Sequence, residues 1–301
     1  MSITYRILET GDEAALEAFV LPRIASSMFL LGNMRMSGLT DNGKPYTGTY
    51  AAAFDEDEIV GAVAHFWNGN LIVQSPLAYL AKLWQTAVST GSVQSVSASN
   101  RPLQGIIGPS AQVEFILKFL EIEQDFIQVD DVENLYSLAL ADLVVPDGLR
   151  NGRLQSRRAE LEDIDLLIQW RVEFNIEGLN ETDSPELRKQ AQQSVERVVA
   201  EGRMWLLLDN DVPVSTTAFN TAAAEAVQVG GVYTPPAYRS KGYARAAVAA
   251  SLLDARNEGV QTGILFTGIH NYPAQKAYTA LGFNHIGDYR ILLLKRPFIF
   301  Q

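Results

Sequence analysis

The segment from Ala226 to Gly242 has residue types that could hold a phosphate. It reads AVQVGGVYTPPAYRSKG, an apolar strand with paired glycines followed by a loop that carries Arg239 and Lys241 and leads into an alanine-rich helix. The first amides of a helix have no helical acceptor and the helix dipole is positive there, so this junction favours anions. Gly242 lets the backbone approach a phosphate closely. The alternative is a surface loop in which Gly242 only redirects the chain.

The loop differs from two common phosphate-binding motifs. It has neither the Gly-Lys-Ser/Thr of a P-loop nor the G-x-G-x-x-G of dinucleotide-binding proteins. A nucleotide triphosphatase is therefore disfavoured.

A second segment whose residues could take part in a reaction follows one strand later. The sequence NYPAQKAYTALGF, residues 271–283, places apolar side chains on one face of a helix that ends at a glycine. Tyr278 lies on that face and therefore points inward, toward whatever the sheet and helix enclose. Its alternative role is that of a core tyrosine with a satisfied hydroxyl.

An earlier helix presents an acid beside two aromatic side chains. Apolar residues at helical spacing from Leu161 to Val172 predict this helix. On its adjacent side, Trp170, Phe174 and Glu177 lie within two turns of one another.

Together these segments resemble the acyl-CoA-binding half of the GCN5-related N-acetyltransferases. The order V-x-x-P-x-x-x-R-x-x-G-x-A, a strand, and then N-x-x-A-x-x-x-Y-x-x-x-G-F stands at the family's usual spacing. The resemblance covers mainly residues 154–301.

The resemblance implies which residues would bind acetyl-CoA and act on it. In the family, two central parallel strands part and the pantetheine lies in the gap like an additional strand. The backbone near Val232 would face the thioester oxygen, and Tyr278 would protonate the departing sulfur, because a phenol is a donor at neutral pH. The implied cofactor-binding residues are Val232, Tyr233 and Thr234 through backbone groups, Arg239, Ser240, Lys241, Gly242, Tyr243 and Ala244 around the diphosphate, and Asn271 along the cofactor's arm.

The general base has several candidates. A substrate ammonium must lose a proton before attack, which a carboxylate can assist directly or through water. Glu177 is the first candidate, because it shares a face with Trp170 and Phe174 on a helix that the family places beside the acceptor. Glu173 and Glu225 are alternatives, as is proton removal by water, and each acid could instead be a solvated surface charge.

The chain divides into two predicted domains. Turn formers from Pro146 to Arg153 separate apolar runs, so we place the boundary between residues 148 and 149. The predicted fold class is α/β with mixed sheets, as two tandem acyl-CoA N-acyltransferase-like domains of residues 1–148 and 149–301. The first domain resembles a degenerate copy, because Gln74-Ser-Pro-Leu-Ala stands where the diphosphate loop would be. Acetyl-CoA binding is therefore predicted only for the second.

Composition limits the remaining classes of function. The chain has 301 residues and a formal charge of −11, which disfavours nucleic-acid binding because that needs a basic face. It has no cysteine, and its three histidines are scattered, so no metal site is predicted. The acidic N-terminus has no long apolar run, so neither a signal peptide nor a membrane span is expected, and a cytoplasmic location is predicted.

These observations predict an N-acetyltransferase that moves an acetyl group from acetyl-CoA to a primary amine by direct attack in a ternary complex. The acceptor is a small amine or a peptide, and its identity, the acyl chain length and the oligomeric state stay open. One alternative is a non-catalytic CoA-binding or regulatory protein on the same fold. Another is transfer of a different acyl group, or transfer to an oxygen acceptor.

Overall fold

The structure is a computed structural model that describes residues 3–88, 101–179 and 181–298. The chain forms two compact units. Unit 1 comprises Met1–Leu135 and Ile286–Gln301, and unit 2 comprises Tyr136–His285.

The compact units divide the chain differently from the expected boundary at 148/149. Residues 136–148 belong to unit 2, and the C-terminal strand belongs to unit 1. The reason lies in pairing: the last strand forms an antiparallel ladder with Leu103–Pro109 and buries Leu292 and Leu294 in the core of unit 1. Strand pairing and apolar burial therefore place the C-terminal strand in unit 1, although it follows unit 2 in the chain. The division into functional domains at 148/149 stays a prediction.

Unit 1 is a mixed sheet with helices. Its strands β1 to β5 lie side by side in chain order, and the C-terminal strand β12 pairs with β5. The strands are β1 (Thr4–Ile7), β2 (Gly48–Asp55), β3 (Glu58–Phe66), β4 (Asn70–Gln74), β5 (Leu103–Pro109) and β12 (Asn284–Phe298), and the helices are α1 (Glu13–Val20), α2 (Ile24–Ser37), α3 (Leu77–Val88) and α4 (Ser110–Phe119). Strand β6 (Ile127–Ala139) begins in unit 1 and ends in unit 2.

One helical run in unit 1, Glu13–Ser37, is long and apolar enough to cross a membrane, judged by length and composition alone. In its most apolar window, 39% of the residues are buried inside the protein. A short turn of 3₁₀ helix over Leu21–Arg23 divides the run into α1 and α2. Leu16 and Leu30 are among the side chains that it contributes to the core of unit 1. This packing favours a core role for the run.

Unit 2 repeats the element order of unit 1. Each unit runs strand, two helices, three antiparallel strands, helix, parallel strand, helix. The strands of unit 2 are β7 (Leu154–Arg158), β8 (Met204–Asp209), β9 (Val212–Ala222), β10 (Ala226–Tyr233) and β11 (Thr262–Gly268), and its helices are α5 (Asp147–Arg150), α6 (Ile164–Leu179), α7 (Pro185–Ala200), α8 (Tyr243–Asn257) and α9 (Tyr272–Thr279).

Local sequence explains how two elements of unit 2 are set. Asn210 and Asp211 have φ values of 50° and 63°, which the tight turn joining β8 to β9 requires. Ser184 caps α7, because its hydroxyl accepts a 3.1 Å hydrogen bond from the amide of Leu187, and Pro185 occupies the first turn. Helix α8 buries five alanines, and their small size lets the helix lie close to the sheet. Helix α8 thereby connects β10 to the parallel strand β11.

Candidate functional site

Strands β10 and β11 part at a defined point. Their parallel pairing runs from Ala226 opposite Thr262 to Val229 opposite Leu265, and in the described part of the chain these two strands do not pair beyond that point. The register of β10 with β9 shifts by one residue between Gly230 and Tyr233, which is a β-bulge.

The bulge leaves a short piece of β10 outside both ladders. Gly231 and Val232 have no Cα partner among the described neighbouring strands and are partly exposed. Gly231 has φ +58°, a conformation that favours glycine. Backbone groups here can therefore hydrogen-bond an extended molecule lying beside β10. This is the place at which the backbone of Val232 is predicted to contact a cofactor.

The next two predicted residues are partly engaged within the protein. The carbonyl of Tyr233 accepts a 2.9 Å hydrogen bond from the hydroxyl of Ser215. A second hydrogen bond, of 2.8 Å, joins the hydroxyls of Ser215 and Thr234. These contacts fix the end of β10 where the loop begins.

The loop then ends in a turn that exposes main-chain amides. Ser240 has φ +61° and Gly242 has φ +80°, and Gly242 is the N-cap of α8. Within the described part of the chain, the amides from Ser240 to Ala244 have no recorded acceptor. A row of free amides at the positive end of a helix is an anion site.

Arg239, one of the predicted diphosphate-binding residues, faces helix α6. Its Nε donates to the carbonyl of Thr234 at 2.9 Å, and its Nη2 forms an ion pair with the carboxylate of Glu177. The neighbouring carboxylate of Glu177 raises the pKa of Arg239. Both side chains are exposed. An incoming diphosphate would therefore compete with Glu177 for this guanidinium.

The two aromatic neighbours of the loop hold its shape. The ammonium of Lys241 lies 5.8 Å from the ring centre of Tyr238. The Tyr243 ring is buried, and its hydroxyl donates to Asp209, which also pairs with Arg153 at 2.9 Å. The first turn of α8 is thus anchored to the end of β8.

Helix α9 carries the other two predicted site residues. The side-chain oxygen of Asn271 accepts a 3.3 Å hydrogen bond from the amide of Ala274 and so caps the helix, with its side chain at the surface. Tyr278 is buried, with its ring 6.2 Å from that of Phe283, in the hydrophobic core of unit 2. The inward direction predicted for Tyr278 is what the structure shows, and its catalytic role stays a prediction.

The three candidate bases lie in different surroundings. Glu173 accepts hydrogen bonds of 2.9 Å from the hydroxyl of Tyr233 and from Gln169. Burial first, and then Glu173, raises the pKa of the Tyr233 hydroxyl, so that hydroxyl stays a donor. Glu177 is held by Arg239. Glu225 lies just before the start of β10, about 25 Å of strand away from Tyr233 at its end.

A cavity lies beside Glu173. Its volume is about 380 Å³, and the residues around it come from one face of α6 and from the start of α7. Asp183 and Arg188, which line it, form an ion pair at 2.6 Å. Glu173 therefore both lines this cavity and accepts a hydrogen bond from Tyr233. The lining residues are Gln169, Val172, Glu173, Ile176, Asp183 and Arg188.

Sequence reasoning missed Arg171 on helix α6. A Cβ atom built on Gly231 would lie 3.5 Å from its Nη1, so the guanidinium stands beside the bulge of β10. A lone arginine among acids in the predicted helix was the only signal for it in the sequence. The glycine-rich strand that it faces is distant along the chain.

Unit 1 differs at the equivalent place. A Cβ atom built on Gly108 in β5 would lie 2.7 Å from the carbonyl oxygen of Val73 in β4, so the two strands stay close there. Gln74 and Ser75 are buried and accept or donate hydrogen bonds within the unit. Helix α3 begins at Leu77, so the segment is too short for the loop that unit 2 has.

A family model identifies the region that carries these features. Residues 164–283 match the model of the acetyltransferase (GNAT) family. The matched region lies within unit 2 and includes β10, α8 and β11. No curated protein matches the chain.

Solved structures with the same fold cover nearly the whole chain. A Drosophila protein is 13% identical, with a TM-score of 0.67, and the match covers 97% of this chain and 99% of that protein. A GNAT-family acetyltransferase from Colwellia psychrerythraea is 14% identical, with a TM-score of 0.54, and the match covers 97% and 100%. A GCN5-related N-acetyltransferase from Sphaerobacter thermophilus is 13% identical, with a TM-score of 0.54 and coverage of 99% and 98%. These likenesses confirm the predicted mixed α/β fold class.

Proposed function

We propose that unit 2 is an N-acetyltransferase that moves an acetyl group from acetyl-CoA to a primary amine. The observation that carries this is the parting of β10 and β11 at a bulge, directly ahead of a helix N-terminus with free amides. The family match over residues 164–283 makes acetyl transfer plausible.

The residues present fit coenzyme A. The free amides from Ser240 to Ala244 would hold its diphosphate, with Lys241 adding a nearby positive charge. The unpaired backbone of Gly231 and Val232 would bind the amide-containing arm and the thioester oxygen. When bound, acetyl-CoA would supply the activated acetyl group.

The chain's own side chains would manage the protons. Tyr278 is proposed to donate its phenolic proton to the departing sulfur. Among the candidate bases, placement favours Glu173 over Glu177, because Glu173 lies next to the cavity between α6 and α7 whereas Glu177 is paired with Arg239. Glu225, at the far end of β10, is the least favoured. No covalent enzyme intermediate is needed, because positioning and fixed donors suffice for direct transfer.

Unit 1 is proposed to be a copy of the same architecture without a cofactor site. Its close β4 and β5 strands and the short connection from Gln74 to Leu77 support this. Acetyl-CoA would then bind only to unit 2.

Thiol release tests the proposed function directly. The protein has no cysteine, so a thiol reagent reports only free coenzyme A. Acetyl-CoA and a panel of amines should give amine-dependent thiol release, and Tyr278→Phe should lower kcat by roughly 10²- to 10⁴-fold while acetyl-CoA affinity holds. Binding of acetyl-CoA without release by any amine would favour the non-catalytic alternative. In the same assay, longer thioesters test for transfer of a different acyl group, and alcohols test for transfer to an oxygen acceptor.

A further inference from the structure

Arg171 is a cation placed at the bulge of β10. It lies on α6, partly buried, with its Nη1 3.5 Å from where a Cβ of Gly231 would be. Gly231 has no Cβ atom, so the guanidinium reaches its backbone, which lies in the unpaired part of β10. This is the position at which the proposed function puts the acyl group.

The guanidinium has no anionic partner within the described ranges. It forms no hydrogen bond and no ion pair there, and its central carbon lies 5.3 Å from the ring centre of Phe174. Burial lowers the pKa of Arg171, Arg197 lowers it further, and Glu181 acts in the opposite direction. A guanidinium removed from water without a carboxylate in hydrogen-bond contact is costly to the folded protein.

A second unsatisfied polar group lies one turn along the same helix. Asn175 is 8% exposed, and its side-chain oxygen has no hydrogen-bond partner among the residues that the structure describes. Its amide nitrogen donates to Glu181 at 3.2 Å. Residues four apart share a helix face, so Arg171 and Asn175 offer donors and an acceptor side by side. Buried polar groups in native proteins are normally satisfied, so the two groups point to a ligand that brings an acceptor for Arg171 and a donor for the Asn175 oxygen.

We propose that Arg171 binds a carboxylate group of the substrate beside the acyl-transfer point. The inference rests on the proposed function of unit 2. A guanidinium is planar and pairs with a carboxylate through two parallel hydrogen bonds. The diphosphate of coenzyme A is proposed to bind elsewhere, at the start of α8, and does not compete for this group.

The carboxylate has two possible sources. It belongs either to the amine acceptor, as in an amino acid, or to the acyl chain, as in a dicarboxylic thioester such as succinyl-CoA. Each source places one negative charge near Gly231, and the experiment below separates them.

Kinetics with matched substrates provide the first test. Amino acids are compared with their amides, and acetyl-CoA with succinyl-CoA, in the thiol-release assay. Arg171→Met should lower kcat/KM for the carboxylate-bearing substrate by about 10- to 100-fold and leave its neutral counterpart unchanged. Arg171→Lys should recover only part of the loss, because an ammonium does not form the paired hydrogen bonds. The control is Arg150→Met, which removes the same charge from an exposed pair with Asp147 in the same unit.

A binding measurement makes the test independent of turnover. In protein labelled at arginine, the Arg171 side-chain resonance is identified by its loss in Arg171→Met. A shift on adding amino acids, but not their amides, to the acetyl-CoA-loaded protein supports an acceptor carboxylate. A shift with succinyl-CoA but not acetyl-CoA supports an acyl carboxylate. If acetyl-CoA binds and neither class moves the resonance, the inference is overturned while the proposed function stands. If acetyl-CoA fails to bind, both are overturned.

Discussion

At the scale of single residues, the pair between Arg239 and Glu177 links the loop ahead of α8 to helix α6. Both side chains are exposed, so the pair contributes at most about 1 kcal/mol to stability. Its importance lies in binding, because the same guanidinium is proposed to meet the diphosphate.

Glu177→Gln should therefore tighten acetyl-CoA binding by a few-fold, since Arg239 loses its internal competitor. Arg239→Gln should weaken it by about 10-fold. Titration calorimetry at fixed salt measures both affinities. Glu258→Gln, which removes an acid from another exposed pair of unit 2, serves as the control and should change nothing. Weaker binding in Glu177→Gln would mean that the acid helps to hold the cofactor.

His65 makes stability depend on pH. The side chain is fully buried, and a 3.2 Å hydrogen bond joins its Nε2 to the carbonyl of Gly69. Burial lowers the pKa of His65 to about 4, from 6.5 in the unfolded chain, with Arg101 adding to the effect. Between these two values the unfolded state binds a proton that the folded state does not, so the free energy of unfolding rises with pH. The contribution of neutral His65 to stability is fully present above pH 6.5.

Chemical denaturation from pH 7 to pH 4 tests this dependence. The free energy of unfolding should fall by on the order of 1 kcal/mol per pH unit through His65. His65→Gln keeps an N–H donor but has no group that titrates here, so its curve should be flatter over this interval. Parallel curves for the two proteins would show that His65 does not titrate as described.

At the scale of secondary structure, the free amides ahead of α8 depend on a backbone turn. Gly242 has φ +80°, and among the described residues a Cβ there would meet the guanidinium of Arg245, at 3.8 Å. A side chain at this position therefore costs backbone strain of about 1 kcal/mol and no serious clash.

Two isosteric substitutions separate strain from charge. Gly242→Asn and Gly242→Asp introduce similar side chains, and both residue types tolerate a positive φ better than most. The aspartate alone adds a negative charge beside the diphosphate site. We expect acetyl-CoA affinity to fall at least 10-fold further in Gly242→Asp than in Gly242→Asn, by titration calorimetry, with similar thermal stability. Equal affinities of the two variants for acetyl-CoA would show that the N-terminus of α8 does not bind the diphosphate.

Local sequence signals predict several elements well. An N-cap acceptor, a proline and apolar residues at helical spacing after Asp183 predict a helix that runs to about Ala200, and helix α7 spans Pro185–Ala200. The Asp209-Asn210-Asp211 turn likewise predicts the hairpin of β8 and β9, where Asn210 and Asp211 have positive φ. Signals of this kind need no knowledge of the rest of the chain.

The features that sequence reasoning missed depend on contacts between distant residues. The ion pair of Glu177 with Arg239 joins positions 62 residues apart. The approach of Arg171 to Gly231 and the bulge of β10 likewise depend on packing and strand register. The general base could not be chosen from the sequence for the same reason, because a carboxylate's role depends on what it faces.

At the scale of the whole molecule, the C-terminal strand shows that chain order and compact units are different things. Residues 286–301 return to unit 1, where Ile291 lies opposite Ile107. Among the described residues each unit has the same succession of elements, but β4 and β5 of unit 1 stay close at Gly108, whereas β10 and β11 of unit 2 part ahead of a longer loop. The repeated architecture thus contains one proposed cofactor site.

Titration of the full-length protein with acetyl-CoA tests the central claim most directly, with a co-crystal structure to locate the ligand. We predict one equivalent per chain, with the diphosphate at the amides from Ser240 to Ala244 and the thioester beside Gly231. Two equivalents, a ligand seated in unit 1, or no binding at all would contradict the account.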